Sequence, residues 1–163
     1  MGTRSTIIQK IDSDTYRSIY CHWDGYLSHN GRILLKHYQD PEKVSKLLLL
    51  GSLSSLREEV DIPKGKIHTY ESRQEGITVS YHRDRGEEWE HTSYIDKTTL
   101  KESIDEYYSY LYFDGDWYIQ KSTVEEDSLE EDSSINMNDI NNIITIEDED
   151  WVLLRDLEEF IQR

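Results

Sequence analysis

Apolar and polar positions divide this chain into short alternating runs and a few helix-type stripes. Thr3 to Ile11 is rich in β-branched residues, stops at Asp12-Ser13-Asp14, and resumes from Tyr16 to Trp23. Such side chains suit a pleated surface and the polar triplet suits a turn, so the two runs are expected to pair antiparallel. Asp24-Gly25 and Asn30-Gly31 interrupt the pattern next. They place Tyr26, Leu27, Ser28 and His29 on a loop before a short helix near residues 32–38. Asp40-Pro41-Glu42 supplies an N-cap, a proline at the first helical position and an acid in the first turn. Val44, Leu47 and Leu48 then follow at helical spacing until Gly51 offers a left-handed stop.

Ile77 to His82 alternates with period two and predicts a half-buried strand, with a partner around Thr92–Ile95. Thr99 precedes Leu100, Ile104, Tyr107, Tyr108 and Leu111, whose spacing predicts one apolar helical face. Residues 110–113 and 117–120 flank Asp114-Gly115-Asp116 as a hairpin, and this reading competes with the helix for Tyr110 and Leu111. After Asp148-Glu149-Asp150, the stripe Trp151, Leu154, Leu157 and Phe160/Ile161 predicts a docked terminal helix. The expected fold is α+β: a single small domain with a mainly antiparallel sheet covered by a few helices, plus an acidic linker and a C-terminal helix. The divisions are a compact domain over 1–123, a mobile acidic linker over 124–147, and an amphipathic helix over 148–163.

Composition sharpens this division. At 163 residues the chain holds about one domain's worth of core, and its 36% apolar content is supplemented by 12 Tyr and 4 Trp. The net charge of −16 is lopsided. Residues 1–100 carry 14 Lys/Arg against 15 Asp/Glu, whereas residues 101–163 carry 4 against 19. A chain so acidic is a poor direct partner for nucleic acid or an anionic membrane. One cysteine, no basic-then-apolar leader and no apolar run near 18 residues lead to the expectation of a reducing cytoplasm.

Recognisable catalytic chemistry does not emerge. Cys21 and His22 are adjacent, so on a strand they face opposite sides of the sheet and cannot share a proton; Cys21 is expected inside with Ile19 and Trp23. His22, His29 and His37 lack the spacing of a metal motif, and no metal or cofactor is expected. His82-Arg83-Asp84 begins like a kinase catalytic loop, but Trp89 stands where that loop needs Asn. More informative are Arg4, Tyr20, His22, Trp23, Asp24 and Tyr26, brought together if the first two strands pair. Their aromatic faces and guanidinium suit a planar ligand, while the plainer reading has Trp23 and Tyr26 closing one end of the core. The second candidate is the run Glu125, Glu126, Asp127, Glu130, Glu131 and Asp132, supported by Glu158 and Glu159. Dense carboxylates can occupy the phosphate positions that a basic DNA-binding groove expects, and they can equally serve only to keep the surface solvated.

The segments Gly2-Thr3-Arg4-Ser5-Thr6-Ile7 and Ile19-Tyr20-Cys21-His22-Trp23-Asp24-Gly25-Tyr26-Leu27, with Asn30-Gly31, Tyr38, Lys43-Val44, Leu47 and Gly51 through Leu56, resemble a family of small acidic proteins encoded by bacteriophages and prophages. The resemblance spans residues 2–56. It implies a phage origin and expression in a bacterial host cell, and brings no catalytic residues with it. Small accessory phage proteins often bind a host factor or neutralise a defence system. The resulting expectation is a non-enzymatic host-interaction protein, an anti-defence inhibitor whose acids capture the basic, nucleic-acid-binding surface of a bacterial protein. The alternatives are a sponge that sequesters a small nucleotide signal in the Arg4/aromatic pocket, and an enzyme relying on His22 or Asp24.

Overall fold

The computed structural model describes residues 3–88, 92–96, 100, 108–124, 140, 142–146 and 149–158. Its α+β class is the expected one. The strands are β1 (Ser5–Lys10), β2 (Thr15–Cys21), β3 (Leu53–Ser55), β4 (Val79–Ser80), β5 (Ser93–Asp96), β6 (Tyr108–Phe113), β7 (Asp116–Gln120), β8 (Ile143–Ile146) and β9 (Glu149–Leu153). They form one sheet in the order β4-β3-β2-β1-β6-β7-β9-β8, and β5 pairs with the early part of β2. The β1–β6 and β2–β3 pairs are parallel and the other pairings antiparallel.

The β1–β2 hairpin forms where the sequence predicts it. Asp12 closes the turn by accepting the backbone N–H groups of Asp14 at 2.8 Å and Thr15 at 2.9 Å. These bonds, that from Asp14 foremost, lower the Asp12 pKa. Helices α1 (Arg32–His37) and α2 (Pro41–Leu49) then cross one face of the sheet before β3 returns parallel to β2. The α2 signals operate as read: Asp40 accepts the Glu42 N–H at 3.0 Å, Val44, Leu47 and Leu48 are buried, and Gly51 adopts φ 79°. Leu27 to His29, expected on a loop, belong instead to a π-helical turn, Leu27–Gly31, that runs directly into α1. Burial of Leu27, Asn30 and Gly31 holds it there. Carbonyls left open at the end of α1 are satisfied by the sheet: Trp117 Nε1 donates to Tyr38 O at 2.7 Å and the Tyr112 hydroxyl to Gln39 O at 2.8 Å.

Two apolar layers result. Ile7, Ile19, Cys21, Tyr110, Ile119 and Val152 pack on the helix side with Leu34, Val44, Leu47 and Leu48. Ile8, Tyr16, Leu100, Leu111 and Trp151 pack on the other. This two-sided burial corrects several expectations. Tyr108 and Leu111 lie in a strand and not a helix, because β6 pairs with β1 (Ile7↔Tyr110, Ile8↔Leu111) and sends alternate residues to opposite layers. Ile104 and Tyr107 lie outside the described residues. The 110–120 hairpin forms, with Asp114 at φ 50° and Gly115 at φ 82° in a two-residue turn where both central residues need positive φ.

The C-terminal helix is also replaced, over its described part. Residues 149–153 are β9, and Leu154–Leu157 is a single 3-10 turn. Trp151 enters one core while Leu154 and Leu157 enter the other, which a single helical stripe cannot do. Within the expected linker, residues 143–146 are β8, and Val124 and Ile140 are buried. The strand expected over 77–82 shrinks to Val79–Ser80, and the expected partner near Thr92–Ile95 pairs with β2 instead. No helix among the described residues is long and apolar enough to cross a membrane.

Candidate functional site

The corner after β2 is built from beneath. Asn30, fully buried, donates through Nδ2 to Ser5 Oγ at 3.3 Å, Cys21 Sγ at 3.4 Å and the Trp23 carbonyl at 3.3 Å. Gly25 lies against β1: its N–H donates to Thr3 O at 2.7 Å, and an added Cβ would meet the Arg4 carbonyl oxygen at 2.6 Å. Cys21 is sealed below this corner, and burial pushes its thiol up to about 11. His22, on the other side of the strand, is hydrogen-bonded through Nδ1 to the Tyr20 hydroxyl at 2.6 Å. The thiol–imidazole pair is therefore kept apart, as strand alternation predicts.

The expected aromatic residues divide into two groups. Tyr20 and His22 have ring centroids 6.0 Å apart, and His22 meets Trp23 edge-on at 4.8 Å. Tyr26 instead packs on His29 at 6.0 Å. His29 also lies 3.9 Å from Asp24, accepts from Arg57 at 3.4 Å, and faces the Asn30 carboxamide oxygen at 2.9 Å. Trp23 was expected on the inner face with Cys21, but β2 ends at Cys21, and Trp23, Tyr26 and Arg4 are exposed. Of the six residues expected to form a ligand pocket, only Tyr20 lines the cleft found beside this corner. That cleft, of about 360 Å³, is formed by Tyr20, Ser52, Tyr81, Arg85 and Glu87. Sequence reading misses the other four because they gather only through strand register and the turn after β4.

A buried polar clasp holds that turn. Arg83 donates to Asp84 through Nε at 2.8 Å and Nη2 at 3.0 Å, and also to the carbonyls of Val60 at 2.6 Å and Thr78 at 2.8 Å. Asp84 accepts the Ser80 N–H at 2.8 Å. His68 accepts the Gln74 N–H at Nδ1, so its Nε2 carries the proton toward Thr78 O at 3.1 Å and Asp84 at 3.5 Å. The kinase-like triplet thus braces the segment between β3 and the end of the turn.

On the acidic side, Glu125, Glu126, Asp127, Glu130, Glu131, Asp132 and Glu159 lie outside the described residues. Glu158 is exposed after the 3-10 turn. Asp150 accepts the Thr145 hydroxyl at 2.6 Å, Asp156 accepts the Asn142 side-chain amide at 3.0 Å, and Arg155 pairs with Asp116 at 3.2 Å. No family model, curated protein or solved structure matches this chain.

Proposed function

We propose that the protein is a phage-encoded, non-enzymatic host-interaction protein, an anti-defence inhibitor that captures a basic, nucleic-acid-binding surface of a bacterial protein in the host cytoplasm. The observation that carries this reading is the charge partition, 19 Asp/Glu against 4 Lys/Arg over residues 101–163 on a chain whose first hundred residues are almost neutral. Carboxylates spaced along a surface attract a cationic groove by the same electrostatics that DNA phosphates use.

The bonding of the described acids supports the reading. Asp150 and Asp156 are oriented by a hydroxyl and a carboxamide, neutral donors that fix a carboxylate without cancelling its charge. Arg155, the one Lys or Arg among residues 140–158, is already paired with Asp116 on β7. The test replaces Glu125, Glu126, Asp127, Glu130, Glu131 and Asp132 with their amides and uses each full-length chain as bait in a bacterial lysate. The wild type retains a basic host protein that the neutralised chain loses. Equal retention by both baits contradicts the proposal.

A further inference from the structure

The sheet ends at β8, and among the described residues no strand lies beyond it. None of its four residues is buried, and Ile143 is 37% exposed. The register with β9 fixes which backbone groups point outward. The Leu153 N–H donates to Asn142 O at 3.0 Å, which makes Asn142 and Leu153 a hydrogen-bonded pair. Such pairs alternate along an antiparallel ladder, so Ile144, opposite Trp151, and Ile146, opposite Glu149, also direct their backbone groups to β9. The N–H and C=O groups of Ile143 and Thr145 therefore point away from it, four groups along one outer edge. Edges of natural sheets are commonly guarded by Lys, Pro or a bulge. Residues 141–146 contain no Lys or Pro, and the β8–β9 register is unbroken.

The two faces of this edge differ. Ile144 and Ile146 are partly buried against the layer of Ile8, Leu111 and Trp151, so a strand added with apolar residues on that side extends the layer. On the other face the Thr145 hydroxyl donates to Asp150 at 2.6 Å, which orients the carboxylate and leaves its charge in place for a Lys or Arg laid across β8. Charge decides the occupant. Residues 140–158 hold six Asp/Glu against one Arg, and that Arg155 is paired with Asp116. A second copy brings another net charge of −16 to the same edge, whereas a cationic strand is attracted to it.

We propose that β8 is the docking edge for an extended cationic segment of a partner protein, which adds antiparallel to it as a further strand. The segment's backbone bonds to Ile143 and Thr145. Its apolar residues continue the row of Ile144 and Ile146, and its alternate Lys or Arg residues face Asp150. This mode rests on the capture of a basic protein proposed above and states how that protein is held: main-chain bonds set the register and the acids select the charge.

The experiment titrates the full chain with the peptide acetyl-Lys-Val-Lys-Val-Lys-Val-Lys-amide by calorimetry at about 50 mM salt. Wild type binds it with Kd below about 100 μM. Thr145→Pro puts a proline ring where an N–H faced outward, keeps the backbone bonds to β9 and changes no charge; it weakens binding about tenfold or more. Should Thr145→Pro not fold, Ile143→Pro is read by the same criterion. The peptide N-methylated on its lysine backbone amides keeps its charge but cannot pair with the edge, and it binds about tenfold or more weakly. The proposal is overturned if wild type does not bind below that concentration, or if either loss falls short of tenfold, which leaves ionic attraction alone. It is also overturned if wild type sediments as a dimer that Thr145→Pro dissolves, which gives the edge to a second copy. Because the titration needs no host protein, its failure removes this docking mode alone, whereas equal retention by the neutralised bait removes the capture reading.

Discussion

The Tyr110 hydroxyl in β6 donates to the carbonyl oxygen of Gly25 at 2.6 Å, joining the centre of the sheet to the aromatic corner 85 residues earlier. Tyr110 is fully buried, so this bond is made where water cannot replace it. Tyr110→Phe keeps the ring and leaves the carbonyl unpaired. A loss of about 1–3 kcal/mol is expected, read as a lower midpoint in urea unfolding. An unchanged midpoint would show that the corner does not depend on this bond.

Two glycines separate crowding from backbone strain. Gly25→Ala drives a Cβ to within 2.6 Å of backbone oxygen, whereas Gly65, at φ 80°, has nothing within 4 Å of the added carbon. Overpacking against backbone is expected to cost about 3 kcal/mol or more, while left-handed strain alone costs about 1–2 kcal/mol. Thermal melting of both variants should therefore place Gly25→Ala well below Gly65→Ala. The reverse order would contradict the close approach of Gly25 to β1.

Cys21 makes stability sensitive to alkaline pH. Its thiol is raised to about 11 by burial, so the folded chain holds the proton more tightly than the unfolded one. The contribution is fully present below the ordinary thiol pKa and is lost as pH rises from about 9 to 11, by about 2–3 kcal/mol in all. Tyr38, also raised by burial, adds to the decline at higher pH. Unfolding midpoints measured between pH 8 and 10 should fall less steeply in Cys21→Ala than in wild type, and native Cys21 should resist thiol reagents until urea exposes it. Rapid labelling of the folded chain would refute the sealed position.

The clasp beneath the cleft and a surface ion pair differ in kind. Asp84 has no exposed side-chain surface and takes two bonds from Arg83, whereas Lys46 and Asp61 pair at 3.1 Å with side chains 58% and 73% exposed. Removing charge from the buried partner is expected to cost about 3–5 kcal/mol. Breaking the exposed pair costs less than about 1 kcal/mol, because water and salt already screen it. Asp84→Asn and Lys46→Ala, compared by chemical denaturation, test the contrast; equal losses would contradict the burial of the clasp.

Local chemistry explains which elements could be read from sequence. Asp12-Ser13-Asp14, Asp40-Pro41 and Asp114-Gly115 encode their turns and cap within three or four residues, and all three act as expected. Tyr108–Leu111 and Trp151–Leu157 carry helical spacing, yet pairing with distant strands overrides it. Both of these segments lie at the sheet's centre or its far side, where two cores demand apolar residues on opposite faces. The candidate site divides the same way. Tyr20 is legible from its cluster, while Ser52 and Tyr81 join it through the β2–β3–β4 register and Arg85 through the turn after β4, which no contiguous motif records.

Capture by the acidic segment is tested most directly by the response of the pulled-down complex to salt and to duplex DNA. If the acids occupy a groove built for phosphates, retention of the basic host protein falls steeply as salt rises from about 50 to 200 mM, and added duplex DNA displaces the bait. Retention that is flat across this range and indifferent to DNA would contradict the account.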